Sequence, residues 1–231
     1  MIRREFNGRL EPQFNPFQED YLAEILEAAC LAWARIQQPS RSEIEDRITA
    51  RLAGLLANDP HFEEIPYEVT TQHVLLGPKG ELLGRLDLRF KHRYSRRDYF
   101  AFESKRLHVT YPGGKFSAEY SSYSGSQGMM AFVKGQYSKG FPAGGMLGYV
   151  MDGRSDKAWN GLERRIDLSR KPLKLIKGST LAKCSLSKNF VTTIEGIHLG
   201  ETEHNLATHK LRLFHLLLPV RSQRSLSKRN R

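Results

Sequence analysis

Residues 84–107 read Gly84-Arg85-Leu86-Asp87-Leu88-Arg89-Phe90, then seven mostly polar residues, then Asp98-Tyr99-Phe100-Ala101-Phe102-Glu103-Ser104-Lys105-Arg106-Leu107. Both halves alternate with period two, the signature of strands whose successive side chains face opposite ways. The first predicts Leu86, Leu88 and Phe90 on one face and Arg85, Asp87 and Arg89 on the other. The second predicts Tyr99, Ala101, Glu103, Lys105 and Leu107 together, with Phe100 and Phe102 anchoring the reverse face. Neighbouring strands lie ~4.8 Å apart, so Asp87 and Glu103 can converge with Lys105 beside them if the register allows.

The flanking segments supply the other layers. Leu22, Ile25, Leu26, Ala29, Trp33 and Ile36 recur at helical spacing, and Pro39 ends that helix. Ser40 with Glu43 reads as a capping box opening a second helix, with Ile44, Ile48, Leu52 and Leu55 as its buried stripe and Asn58-Asp59-Pro60 as its stop. Glu45 shares a face with Thr49, Leu52 and Leu56, at the edge of that buried surface. Strands are predicted over 65–71, 81–90 and 99–107, with a turn at 77–80 between the first two. A Gly- and Ser-rich stretch from Pro112 to Gly128 follows, then a short helix from Gln127 to Tyr137. Met146 to Met151 has the near-continuous apolar run of a central strand. Asp156–Leu168 reads as a helix, Phe190–Leu199 as extended, and Leu211–Leu218 as a last strand stopped by Pro219. The expected fold class is α/β, a mixed central sheet flanked by helices, in one domain over 1–219 with an N-terminal helical segment. A basic, disordered tail is expected over 220–231.

Composition narrows the partners. The 231 residues carry 36 Lys and Arg against 25 Asp and Glu, a formal charge of +11. Mean hydropathy is −0.51 and the pI about 9.7. That excess favours a polyanion, nucleic acid before an anionic membrane surface. No window approaches the ~18 apolar residues of a spanning helix, and Met1–Leu10 lacks an apolar leader core, so no membrane or targeting segment is expected. Two cysteines, Cys30 and Cys184, offer no disulfide framework or CxxC metal site, which points to a reducing, cytoplasmic setting.

Two carboxylates and an ammonium suit metal-assisted phosphodiester hydrolysis. Asp87 and Glu103 are hard oxygen ligands for Mg²⁺ or Mn²⁺, and the Ser104 carbonyl is a further candidate ligand. Lys105 would orient or deprotonate the attacking water, or stabilise charge building on the phosphate. The plain structural alternative is a set of cross-strand salt bridges on a half-solvated sheet.

Gly84-Arg85-Leu86-Asp87 on one strand and Phe102-Glu103-Ser104-Lys105-Arg106 on the next resemble the PD-(D/E)xK nuclease superfamily, the restriction-endonuclease-like fold, over roughly Ser40 to Pro219. Leu86 stands where that pattern usually writes Pro. The resemblance implies a Mg²⁺-dependent DNA endonuclease with catalytic Asp87, Glu103 and Lys105. It further implies an acid from the preceding helix, for which Glu45 is best placed, and a Gln near the metal, for which Gln127 is the candidate. Prokaryotic antiphage defence or DNA processing would be the setting, with DNA the partner and RNA the alternative. Cutting both strands needs two sites, leaving a homodimer or a protein partner open. A non-cleaving nucleic-acid-binding subunit and an RNase are the competing functions.

Other signals fail. Gly114-Lys115 lacks the earlier Gly of a phosphate loop, Val109 standing there. His204 and His209 have no companion ligands for zinc. Tyr120, Tyr123, Phe132 and Tyr137 either stack on bases or fill a core. Ten basic residues from Arg154 to Lys188 either contact phosphates or form a solvated face.

Overall fold

A computed structural model describes residues 17–60, 67–76, 79–93, 98–137, 140–190 and 194–221. The predicted tail beyond 221, the first two residues of the strand predicted at 65–71 and half of the 77–80 turn lie outside the described residues. Two helices come first, α1 (Glu19–Arg35) and α2 (Glu45–Ala57). Three strands follow, β1 (Tyr67–Leu76), β2 (Leu82–His92) and β3 (Tyr99–Leu107). A two-residue hairpin, β4 (Val109–Thr110) and β5 (Phe116–Ser117), leads into the short helices α3 (Tyr120–Ser124) and α4 (Met129–Val133). Then come β6 (Ala143–Val150), α5 (Ser155–Leu168), β7 (Ala182–Lys183), a 3₁₀ turn over Ser185–Asn189, β8 (His198–Asn205) and β9 (Lys210–Pro219).

Seven strands form one mixed sheet in the order β1-β2-β3-β6-β9-β8-β7. β3, β6 and β9 are parallel, and the outer pairings are antiparallel. The α/β class with flanking helices is therefore present. β6 lies mid-sheet and is buried throughout, as its apolar run requires. Its glycines serve close packing: a Cβ on Gly145 would fall 2.2 Å from the Phe102 ring, and one on Gly144 2.5 Å from Phe132.

Each face of the sheet has its own core. α1 and α2 cover Leu88, Phe90, Phe100, Phe102, Leu147, Tyr149 and Phe214. α3, α4 and α5 cover Leu86, Ala101, Met146, Val150, Leu213 and Leu217. Trp33 locks the first layer, stacking on Tyr149 at 5.3 Å between centroids and donating Nε1–H to the Pro219 carbonyl at 3.0 Å.

Several expectations are corrected. Ser40 and Glu43 do bond reciprocally, but they close a turn, and α2 begins only at Glu45. Its buried stripe is therefore Ile48, Thr49, Leu52, Ala53 and Leu56, while Ile44 is 51% exposed. Leu86 and Leu88 enter opposite cores instead of sharing a face. The reversal falls where Gln72, opposite Asp87 on β1, has φ 52°. The helix predicted at Gln127–Tyr137 shrinks to Met129–Val133. The segment read as extended at Phe190–Leu199 turns at Glu195-Gly196, and the strand runs from His198 to Asn205. Its inward positions are Gly200, Thr202 and His204, so the alternation carries no apolar signal.

Those positions hold a buried polar relay. His204 Nδ1 lies 2.7 Å from the Leu173 carbonyl and must donate to it. Burial keeps both histidines neutral, pulling His204 down to about 4 and His215 to about 3. Only one ordering then satisfies every group: Tyr123 O–H donates to His215 Nδ1, His215 Nε2–H to Thr202, and the Thr202 hydroxyl to His204 Nε2. His204 is thus a satisfied core residue and not a zinc ligand. Tyr123, Phe132 and Tyr137 are likewise buried in the second core.

The histidines' folded pKa values lie below the unfolded value, so the unfolded chain binds more protons at mildly acid pH. Stability should be intact above about pH 6.5 and fall as pH drops towards 4. Thr202→Val strands two ring nitrogens and should cost about 1–3 kcal/mol at pH 7. Urea denaturation should register this as a lower midpoint at unchanged slope; an unchanged midpoint would remove the relay from the account of the fold.

Candidate functional site

β2 and β3 pair only from Leu88–Lys91 opposite Tyr99–Phe102, and beyond Phe102 they part. β3 continues along β6 on its other side, with Glu103 opposite Met146 and Lys105 opposite Gly148. The edge of β3 turned toward β2 thereby loses its ladder partners in mid-sheet, where orphaned amides are costly. Side chains replace them. The Ser104 N–H donates to Asp87 Oδ2 at 2.8 Å and the Ser104 hydroxyl to the same oxygen at 2.7 Å. The Arg106 N–H donates to Glu45 Oε2 at 3.3 Å, and the Ser104 carbonyl accepts from Lys105 Nζ at 2.8 Å.

The four expected residues therefore meet, each from a stated element. Asp87 comes from β2 opposite Gln72, Glu103 and Lys105 from one face of β3, and Glu45 from the first turn of α2. Lys105 Nζ lies 2.5 Å from Glu103 Oε1 and 3.6 Å from Glu45 Oε1. Asp87, Glu103 and Lys105 are buried, and Glu45 is half-buried. Ser104 takes part through its N–H and hydroxyl on Asp87, with its carbonyl engaged by Lys105. Gln127 stands apart: it is exposed, precedes α4 in a turn, and lines a neighbouring cleft.

The charges are unbalanced by design of the position. Three carboxylates face one ammonium, a formal excess of two negative charges. Burial first, and then the Asp87 charge, push Glu103 up to about 8. Burial also raises Glu45, against the pull of Lys105. For Lys105, burial pulls downward, but Glu103, Glu45 and Asp87 together outweigh it and hold the ammonium above its ordinary value. Lys105 is thus charged while the carboxylates compete for it.

Thr49 and Tyr149, which sequence reading passes over, support the cluster from behind. The Thr49 hydroxyl lies 2.8 Å from the Tyr149 hydroxyl and 3.0 Å from Ser104 Oγ. The Thr49 hydroxyl also lies 2.9 Å from the Glu45 carbonyl, an acceptor only, so its one proton is shared between that carbonyl and Ser104 Oγ, and Tyr149 donates to Thr49. Only the Ser104 hydroxyl itself reaches the Asp87 carboxylate. The residues lie 55 and 100 positions from Thr49, and only the packing of α2 on the sheet unites them.

A divalent cation fits this donor set in one respect above others. Glu103 Oε2 is buried without a hydrogen bond of good geometry, the Tyr137 phenol being its prospective donor, so the oxygen is open to a better partner. Among the described residues no group of three or more His, Cys, Asp or Glu side chains converges as a metal cage. A site here would be a two-carboxylate one, Asp87 with Glu103, the sparse protein ligation that Mg²⁺ commonly takes with waters.

A cleft of about 560 Å³ opens beside the cluster, with Arg85, Gln127 and Tyr137 in its wall. After burial, the charges of Glu103 and Asp87 and a side-chain hydrogen bond with Glu103 raise the Tyr137 phenol, which ties the cleft to the acids. Among the described residues no helix is long and apolar enough to cross a membrane. Compared with protein-family models, with curated proteins and with solved structures, the chain matches none.

Glu103 supplies a test of the electrostatics. Its folded pKa lies above the unfolded value near 4.5, so the native state holds a proton that the unfolded chain has released. Stability from this group should fall as pH rises from about 4.5 to 8. Glu103→Gln removes that loss, so its melting temperature should gain on the wild type progressively between pH 5 and 8 in metal-free buffer. A constant difference across that range would show that Glu103 does not bear the excess charge.

Proposed function

We propose that this chain is a metal-dependent nuclease of the PD-(D/E)xK kind that hydrolyses phosphodiester bonds of DNA, acting in the cytoplasm in defence or DNA processing. One observation carries the reading: Asp87 and Glu103 present carboxylates on an edge where two strands separate, with one buried oxygen of Glu103 lacking a hydrogen bond of good geometry and a charged Lys105 against the other. Asp87 and Glu103 would hold Mg²⁺ or Mn²⁺. Once bound, such an ion supplies Lewis acidity and neutralises charge developing on the phosphate.

The chain's own groups account for the rest. Lys105 is held protonated by its three acidic neighbours, which suits it to donate hydrogen bonds to a water or to a phosphate oxygen and not to abstract a proton. Glu45 positions Lys105 and fixes the β3 edge through the Arg106 amide; it acts through these groups. The net charge of +11 favours a polyanion at long range. Exposed Lys171 and Lys174 beside Arg170 form a basic depression after α5 suited to backbone phosphates.

The ion pair between Lys105 and Glu103 favours one other reading, a DNA-binding protein that does not cut, its acids paired for structure alone. Incubation of plasmid, linear DNA and RNA with Mg²⁺, Mn²⁺ or EDTA separates the two. Metal-dependent cleavage of DNA is expected, reduced about 10²–10⁴-fold by Lys105→Ala, the usual range for a positioned catalytic group, and at least as much by Asp87→Ala. Cleavage that survives both substitutions, or salt-sensitive binding with no cleavage under any metal, would overturn the proposal; preferential cutting of RNA would reassign the substrate.

A further inference from the structure

The β1–β2 hairpin carries an apolar tip that nothing among the described residues covers. Leu82 is 69% exposed, Leu76 63%, Val74 46% and Leu83 43%, four of the eight large apolar residues most exposed in the described structure. Such residues at a strand-pair tip are an anomaly unless they meet a ligand.

Beneath them lies the 560 Å³ cleft, and its walls differ in kind. Leu82 and Leu83 form an apolar side. Arg85, Gln127 and Gln136, all exposed, bring a guanidinium and two primary amides to the same space. Tyr137 closes the floor, and it can do so because residue 84 is glycine: a Cβ there would lie 2.8 Å from its ring. An apolar wall opposite amide donors and acceptors is the chemistry of a nucleobase, which has a flat hydrophobic face and a hydrogen-bonding edge. The volume falls within the range of small-molecule sites. Gly84 and Asp87 are three residues apart on β2, about 10 Å along the strand, so the cleft begins one short step from the acidic cluster.

We infer that this cleft receives one unstacked base beside the scissile phosphate, with Leu82 and Leu83 as a wedge and Gln127 and Gln136 reading the base edge. The inference rests on the nuclease reading for the phosphate's place. It names a substrate preference: nucleic acid that is single-stranded, gapped or readily melted at the cut. Apolar side chains inserted between base steps are a known way to obtain such unstacking. A second copy of this chain is the rival occupant, but the guanidinium and the two amides would then need partners on a surface that is otherwise apolar.

Oligonucleotides carrying 2-aminopurine at successive positions test this, using the full-length protein with Mg²⁺ in stopped flow, so that binding is read with the acids' charge neutralised and before cutting. Wild type should raise the fluorescence severalfold at one position, and a gapped duplex should be cut at least tenfold faster than an intact one. Leu82→Ser with Leu83→Ser should abolish the fluorescence rise; both positions are exposed, so folding should be unaffected and is checked by the melting temperature. Gln136→Ala should alter which base is preferred at that position. Cleavage with no fluorescence change at any position would overturn the subsite while leaving the hydrolase standing. A rise that wild type and the double variant share would also overturn it. A fall in sedimentation mass in the double variant, with fluorescence flat throughout, would assign the hairpin to a protomer contact instead. A position-specific rise without cleavage of any substrate would uphold the subsite and remove the hydrolase.

Discussion

An unpaired strand edge in the middle of a sheet governs the rest of this molecule. After Phe102, β3 loses β2 as a partner, and its inward amides cannot turn to bulk water. Two carboxylates from separate elements cap the two amides, Asp87 on Ser104 and Glu45 on Arg106, and the Lys105 ammonium takes the Ser104 carbonyl. The groups proposed for chemistry are thus the groups that make the gap tolerable. Replacing Asp87, Glu45 or Lys105 by an apolar side chain would leave a backbone group unsatisfied, a cost of about 1–3 kcal/mol each, whereas Glu103 caps none. Structure and chemistry here draw on the same hydrogen bonds.

That arrangement imposes a charge problem which the fold does not remove. Completing the edge gathers three acids around one base in a region from which water is largely excluded. A second ammonium would balance the charges but would also fill the opening. The protein instead leaves Glu103 with an oxygen that lacks a hydrogen bond of good geometry and keeps the opening, at the expense of a proton held on Glu103 to about pH 8. Rigidity compensates: Trp33 braces Tyr149, Tyr149 and Thr49 pack their hydroxyls behind Ser104, and Ser104 holds Asp87 through both its N–H and its hydroxyl.

The sequence was legible where period and chemistry coincide. Glu103 and Lys105 share a face with Ala101 and Leu107 because β3 is regular, and Asp87 could be matched to them because β2 and β3 are consecutive in sequence. It was illegible where a backbone choice overrides the pattern. Nothing in Leu86-Asp87-Leu88 announces that the two leucines enter opposite cores, or that Gln72 across from them adopts a positive φ. The strand β8 was hidden because Gly200, Thr202 and His204 occupy its inward positions. Ser40 and Glu43 do make their local bonds, yet tertiary packing starts the helix four residues later. Thr49 and Tyr149 become recognisable only once α2 is laid on the sheet.

A basic chain with an acidic centre makes a particular demand on any polyanionic ligand. The overall charge of +11 attracts phosphates to the surface, while the local excess of negative charge among Glu45, Asp87 and Glu103 repels a phosphate from the very place where strands separate. On the proposed reading these opposing fields act in sequence. Long-range attraction brings nucleic acid to the protein whether or not an ion is present, since it depends on distant lysines and arginines. Close approach to Asp87 and Glu103 requires that their charge be neutralised, and a divalent cation would do so in place of the proton that Glu103 otherwise holds. Binding and metal dependence should therefore separate in this protein, because they arise from different residues at different ranges.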